Sequence, residues 1–313
     1  MIPVLSLKEF DGTSKSAFVE ELGTTYQQIG FVAIRDHGFP AELAAELHAA
    51  VAEFFTLPDE VKLRYHRADL FGQRGYTGYG KEHAKNSTAG DLKEFWQQGP
   101  ELPGKERSAL GYPANLRVEE VPALFECSRR AHEELLRIGR EMLSAIALFL
   151  GLDPSYFDPF ILKGNSILRP IHYPPISGSV GGAVRSAEHE DINLITLLMG
   201  ASSAGLQVKD RKGDWIEVAA AHDELVVNVG DMLQRLTSNK LRSTTHRVVN
   251  TAEAYEGVSR FSIPFFLHPV SAMPLNGLKG CLEVDQKPAY PDITAGDYLD
   301  QRLVEIGLKP AKS

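Results

Sequence analysis

The stretch Ser186-Ala187-Glu188-His189-Glu190-Asp191-Ile192-Asn193-Leu194-Ile195-Thr196-Leu197-Leu198-Met199 changes character at its midpoint. Its second half is a short apolar run closed by Gly200, the pattern of a buried strand. Its first half carries His189-Glu190-Asp191. Strand side chains alternate, so His189 and Asp191 face one side and Glu190 the other. An imidazole and a carboxylate on one face can share a metal. The signal is weak alone. With 10 His and 41 acidic residues in 313, about one His-x-Asp/Glu match is expected by accident. His132-Glu133-Glu134 and His222-Asp223-Glu224 match too. The first falls in a helical stretch, where i and i+2 diverge, and the second in a polar turn. A Gly/Ser loop (Ser177–Ser186) leads into His189 and an apolar strand follows it, which favours this copy.

Outward from this stretch, short apolar runs recur at Ser166–Tyr173, Leu206–Val208, Trp215–Val218, Leu225–Val229, His246–Val249 and Phe261–Leu267. Gly, Pro, Asn and Asp punctuate them, which predicts a double-sheet barrel or jelly roll. Such a barrel can enclose a small ligand. Before residue 165 the chain reads differently. Ile2–Leu5 and Phe31–Ile34 are strand-like, and Leu43, Leu47, Val51 and Phe54/Phe55 recur at helical spacing. A long helix is predicted from Val121 to Leu150, with Leu124, Ala131, Leu135, Ile138, Met142, Ile146 and Phe149 on one stripe. Residues 71–90 are rich in glycine and read as loop; they lack the pattern of a phosphate cradle. A last helix is predicted near Gly296 to Ile306, stopped by Gly307. The fold class is therefore α+β with a mainly β core.

A metal needs a third ligand, and His246 in Ser243-Thr244-Thr245-His246-Arg247-Val248-Val249 is again strand-like. A core histidine satisfied by its surroundings is the competing reading. Two His and one carboxylate form the facial triad of non-haem Fe(II) oxygenases, which leaves positions open for substrate and O2. Zinc more often takes a tetrahedral set, and affinity alone does not fix the metal. In Arg260-Phe261-Ser262, alternation puts Arg260 and Ser262 on one face. A buried guanidinium calls for an anion, and a carboxylate is the natural bidentate partner. Tyr173 can add a hydrogen bond. A surface Arg with any acidic partner is the plain alternative.

The net charge of −8 and pI of about 5.7 speak against phosphate-backbone binding. Two cysteines, Cys127 and Cys281, imply a reduced, cytoplasmic chain with no disulfide framework. The opening MIPVLSLKEFDG lacks the basic region of a signal peptide. The apolar run from Met142 to Leu152 is too short for a bilayer, which needs ~20 residues.

His189-x-Asp191, His246 55 residues on, and Arg260-x-Ser262 14 further together resemble the isopenicillin N synthase-like family of 2-oxoglutarate/Fe(II) dioxygenases. The opening Ile2-Pro3-Val4-Leu5, Gly30-Phe31-Val32 through Pro40, Phe54-Phe55-Thr56-Leu57-Pro58, Arg74-Gly75-Tyr76, Asn228-Val229-Gly230-Asp231 and Gln234 to Val249 extend the likeness over nearly the whole chain. The resemblance implies a double-stranded β-helix braced by helices, in one domain spanning 1–313. That domain divides into an N-terminal region (1–120), a bracing helix (121–155), a jelly-roll core (160–275) and a C-terminal lid helix (285–313). It implies Fe(II) on His189, Asp191 and His246. It implies 2-oxoglutarate on Arg260 and Ser262 with Tyr173 assisting, O2 as oxidant, and release of succinate and CO2. Plant members carry Asn-Tyr-Tyr-Pro where this chain has Ile171-His172-Tyr173-Pro174, and His172 is read as facing away from the site. Ile167-Leu168-Arg169-Pro170 with His172-Tyr173-Pro174-Pro175 is similar to bacterial members. Arg169, Arg185 and Tyr79 are candidates to meet a small-molecule substrate, with surface ion pairing as the alternative for Arg185. No nucleic-acid or membrane partner is expected, and the chain is read as a monomer or homodimer. Two rivals stay open: an Fe(II) oxidase of this fold that does not use 2-oxoglutarate, and a catalytically silent small-molecule-binding relative.

Overall fold

A computed structural model describes residues 2–82, 90–178, 182–200, 204–282, 286–306 and 308–310. Among them, thirteen strands form two sheets. They are β1 (Val4–Ser6), β2 (Phe31–Arg35), β3 (Gly75–Thr77), β4 (Glu94–Gln97), β5 (Ile167–Leu168), β6 (Ile171–Tyr173), β7 (Ser186–His189), β8 (Ile195–Met199), β9 (Leu206–Lys209), β10 (Trp215–Glu217), β11 (Leu225–Val229), β12 (His246–Val248) and β13 (Arg260–Leu267). The larger sheet runs β1-β2-β11-β8-β13-β6-β4-β3, with β5 beside β13, and the smaller runs β10-β9-β12-β7. From β7 onward the chain crosses repeatedly between the two sheets, and this winding is a double-stranded β-helix.

The sheets differ in what they cover. One face of the large sheet is packed by helices, chiefly Lys15–Gln28 and the 28-residue helix Pro122–Phe149, with Ala41–Thr56 laid against the latter. That second helix opens on Pro122 at its first turn, where the missing N–H costs nothing. Its stripe from Leu124 to Ile146 is buried. Gly139 lets it lie close on the sheet, because a Cβ there would fall 2.3 Å from Leu267. The opposite face of the large sheet meets the small sheet through Phe31, Ala33, Ile171, Tyr173, Leu206, Val208, Val226 and Val248. This second core is interrupted by polar groups, and the site lies there. β11 is buried at all five positions, as a strand covered on both faces must be.

Three expectations are corrected. The run Ser166–Tyr173 is two strands, β5 and β6: Pro170 has no N–H to give a ladder, and the Arg169 amide instead donates to the Pro264 carbonyl at 2.9 Å. Segment 71–90 is not all loop, since β3 lies within it and pairs with β4. Asp191 stands beyond the end of β7, not on the strand with His189. The helix of 296–306 is found as Ala295–Glu305; its expected stop at Gly307 lies outside the described residues, as do parts of the 71–90 and 177–186 loops.

Candidate metal centre and its two cavities

β7 and β12 pair so that His246 lies opposite His189. Their rings sit 4.3 Å apart, centre to centre. Asp191 joins them from the turn after β7. One ligand atom from each of the three lies within 4.8 Å of the others. Main-chain carbonyls hold both imidazoles: His189 Nδ1 donates to Ala187 O at 2.7 Å, and His246 Nδ1 to Thr244 O at 3.1 Å. A carbonyl only accepts, so each Nδ1 carries the proton and each Nε2 keeps its lone pair for a metal. Asp191 is divided in the same way. Its Oδ2 accepts from Thr196 Oγ at 2.6 Å and Asn228 Nδ2 at 2.8 Å, while Oδ1 turns to His246 Nε2 at 3.8 Å.

The protonation states suit a cation. Burial, then the neighbouring His246, holds His189 down at about 4. Burial alone would raise Asp191, but the two histidines and the bonds from Asn228 and Thr196 bring it below the usual carboxylate range. The turn that presents Asp191 depends on Gly230, where a Cβ would come within 2.3 Å of Asn193 O. It lets the Asp231 amide donate to the Asp191 carbonyl at 2.7 Å. The Asp231 carboxylate faces the other way, accepting from Tyr298 OH at 3.0 Å, with Arg302 at 3.6 Å, both on the C-terminal helix.

Beneath the triad lies a small cavity of about 70 Å³ between the sheets. β13 supplies much of its lining, since alternation turns Arg260, Ser262, Pro264 and Phe266 inward. Arg260 is 1% exposed, lies 4.9 Å over the Tyr173 ring and is hydrogen-bonded to Tyr173. The triad is at one end of this cavity and the Arg260–Ser262–Tyr173 group lines it too. A short dicarboxylate with a metal-chelating end fits that arrangement, and two imidazoles with one free carboxylate oxygen suit a divalent metal of the first row.

A larger cavity of about 510 Å³ opens on the other side of His189 and Asp191. Its apolar wall includes Phe71, Ile167, Phe266 and, from the C-terminal helix, Leu299 and Leu303. Its polar wall is a buried ion cluster. Lys93 Nζ reaches Asp91 Oδ2 at 2.8 Å, Glu82 Oε2 at 3.0 Å and Ser186 Oγ at 3.2 Å, and Arg169 Nη1 reaches Glu82 Oε1 at 3.2 Å. Burial would raise Glu82, but Lys93 and Arg169 outweigh it and hold its carboxyl at about 2.

The chain matches the family described as non-haem dioxygenase in morphine synthesis N-terminal over residues 2–120, and the 2OG-Fe(II) oxygenase superfamily over residues 164–269. It is 33% identical to the proline hydroxylase buaE of Petromyces alliaceus, over 93% of this chain and 94% of that one. The chain belongs to the 2-oxoglutarate/Fe(II) oxygenases. Among solved structures, this oxygenase superposes on a 2OG-Fe(II) oxygenase family protein of Caulobacter crescentus with a TM-score of 0.87 and 38% identity, covering 97% and 99% of the two chains. It matches a full-length Neurospora crassa protein solved in complex with alpha-KG and thymine with a TM-score of 0.85 and 29% identity, covering 97% and 96%. It is thus an oxidoreductase that uses Fe(II), 2-oxoglutarate and O2 on a small molecule.

The structure brings His189, Asp191, His246, Arg260, Ser262 and Tyr173 around one cavity. Of the substrate candidates, Arg169 lines both cavities. Arg185 is buried away from them, donating to Val258 O at 3.1 Å, and Tyr79 is 49% exposed and lines neither. His172 points outward, stacked on Phe261 at 4.9 Å and bonded to Glu94 and Ser259. His132 meets Ser166 O in the core, and His222 lies in an exposed turn. Sequence reading missed Glu82, Asp91, Lys93, Gln97 and His268 on the larger cavity. Only His268 left a trace, two residues past Phe266 and just beyond the end of β13.

Proposed function

We propose that His189, Asp191 and His246 hold Fe(II), and that Arg260, Ser262 and Tyr173 receive the distal carboxylate of 2-oxoglutarate. The observation that carries this reading is the shared cavity: three metal-competent side chains and a 1% exposed guanidinium line one space between the sheets. Bound together, iron, 2-oxoglutarate and O2 supply the oxidising chemistry, with 2-oxoglutarate leaving as succinate and CO2 while a substrate C–H bond is oxidised. The protein's own work is orientation and exclusion. Carbonyls of Ala187 and Thr244 fix the imidazole tautomers. Thr196 and Asn228 keep one carboxylate oxygen of Asp191 turned to the metal. The larger cavity takes the substrate beside the open face of the triad, and the C-terminal helix covers it as a lid on a single domain spanning 1–313. Its volume falls within the range of small-molecule sites, ~300–1,000 Å³. Thymine in the Neurospora crassa complex and the proline in the name of buaE support a compact polar substrate.

The net charge of −8 supports a chain that works without nucleic acid. Its two cysteines are free thiols, which supports a cytoplasmic setting; we read the chain as a monomer or homodimer. Among the described residues no helix is long and apolar enough to cross a membrane.

The test is an anaerobic titration with Fe(II) and 2-oxoglutarate, read by the visible charge-transfer band of the chelate. The band is expected in the parent protein, absent in His246→Ala, and shifted to at least ten-fold higher 2-oxoglutarate in Arg260→Ala, the scale of a lost charge-assisted pair. A band unchanged in both variants would place the iron or the co-substrate elsewhere.

A further inference from the structure

Most charges around the larger cavity are paired before any substrate arrives. At its rim Glu188 meets Lys209 and Arg247, and Glu190, the one lining carboxylate without a cation among the described residues, accepts from Thr245 Oγ. Glu82 and Asp91 are matched by Lys93 and Arg169. Every oxygen of the two carboxylates is engaged: Glu82 by Lys93 and Arg169, Asp91 by Lys93 and the Ala187 amide. Arg302 faces Asp231 and Glu305. On the reading above, the metal side balances as well: two positive charges on iron and one on Arg260 meet one negative charge on Asp191 and two on 2-oxoglutarate. An anion entering this space finds no uncompensated cation, and a cation finds no free oxygen on Glu82 or Asp91. Burying either unpaired is costly.

What the wall does leave open is a set of uncharged or partly used hydrogen-bonding groups. Arg169 is sandwiched between Phe95 and Phe266, 4.5 and 5.0 Å from the two rings. One guanidinium nitrogen is spent on Glu82, while Nε and Nη2 have no hydrogen bond among the described residues. His268 is 9% exposed, and neither ring nitrogen has a partner there; its Nδ1 is buried outright. Burial, then the nearby Arg169 charge, keeps the ring neutral by lowering it to about 4. Gln97 donates through Nε2 to Gly72 O and leaves its carbonyl oxygen over. Donors and an acceptor thus line one wall, and an aliphatic lid faces them.

We infer that the substrate is an uncharged molecule carrying an amide-type group, a lactam or cyclic imide, with its carbonyl oxygen set against Arg169 and His268 and its N–H toward Gln97. This inference rests on the proposed iron and 2-oxoglutarate site and names the substrate class for it. Arg169, His268 and Gln97 are then the specificity-determining residues. The pocket discriminates by leaving buried hydrogen-bonding groups unpaired when a ligand lacks the complementary atoms.

The experiment is calorimetric binding to protein loaded anaerobically with Fe(II) and 2-oxoglutarate. The probes are six-membered rings of three kinds: 2-piperidone and glutarimide, cyclohexanecarboxylate, and cyclohexylammonium. The neutral amides are expected to bind at least about ten-fold tighter than either charged ring. In His268→Phe, which keeps an aromatic ring at that place, amide binding is expected to weaken by about ten-fold, with the 2-oxoglutarate affinity moved far less. Tighter or equal binding of the carboxylate or ammonium ring overturns the inference, and so does no heat from either amide. Should His268→Phe fold poorly, the order of probes on the parent protein decides alone. The charge-transfer band recorded beside each titration separates the two levels. A band with the wrong order of probes sinks the substrate class only, whereas a missing band sinks the underlying site and this inference with it.

Discussion

The floor of the barrel and the mouth of the larger cavity are both buried and both polar, yet they are held in different ways. On the floor, imidazoles lean on backbone carbonyls two residues away, and Asp191 on the short side chains Thr196 and Asn228. At the mouth, long charged side chains lean on one another across 87 positions of sequence, as Glu82 and Arg169 do. Backbone anchors keep ligand atoms in place whatever occupies the pocket. Side-chain ion clusters are adjustable between relatives, but they tolerate the loss of a single member badly.

The largest effect should come from breaking the mouth. Lys93→Met leaves the buried Asp91 without a cation and Glu82 with Arg169 alone, a loss of about 3–5 kcal/mol in stability measurable from the urea midpoint. The double variant Lys93→Met/Asp91→Asn, which neutralises the carboxylate left without a cation, should be less destabilised than the single. A loss below about 1 kcal/mol would mean the cluster is no more than a surface network. Next is Asn228→Ala on the floor. It frees Asp191 to rotate and should weaken iron binding about 10–100-fold, read by anaerobic metal competition; unaltered affinity would show that Thr196 suffices.

Acid titration sharpens the contrast further. Burial lowers His132 and His268 to about 4, below the ordinary value near 6.5. The unfolded chain therefore binds more protons between those limits, and stability rises with pH there. Their contribution is complete above about 6.5 and lost as pH falls toward 4. Glu82, held at about 2, keeps its contribution above its ordinary value near 4.3 and loses it only below. Urea midpoints should begin to fall near pH 6.5, and His132→Phe should flatten the slope. A level profile from about pH 7 to about 4.5 contradicts this. The smallest effect belongs to the helix surface, where Arg129 bridges Glu126 and Glu133 in the open. Arg129→Ala should cost under about 1 kcal/mol.

This division also explains what could be read from the amino acids alone. Strand alternation predicted that Arg260 and Ser262 share a face, because β13 is continuous. It misassigned Asp191, which joins the two histidines from a turn that Gly230 makes possible. The jelly-roll core was legible in runs such as Leu225–Val229. β3 and β4 were not, since Gly75 and the charged stretch Asp91–Glu94 look like loop until their partners are known. The ion cluster left no signal, because no spacing rule ties Glu82 to Lys93 or Arg169.

Asp231 carries a consequence for how such enzymes diversify. Its amide steadies the main chain of Asp191, a proposed iron ligand, while its carboxylate accepts from Tyr298 on the C-terminal helix. The cap over the pocket and the ligand below it are therefore neighbours through a single residue. Grafting a foreign C-terminal segment to change what the pocket accepts would disturb the metal unless the graft brings its own hydroxyl and guanidinium to the places of Tyr298 and Arg302. The C-terminal helix and the proposed metal site are joined through Asp231.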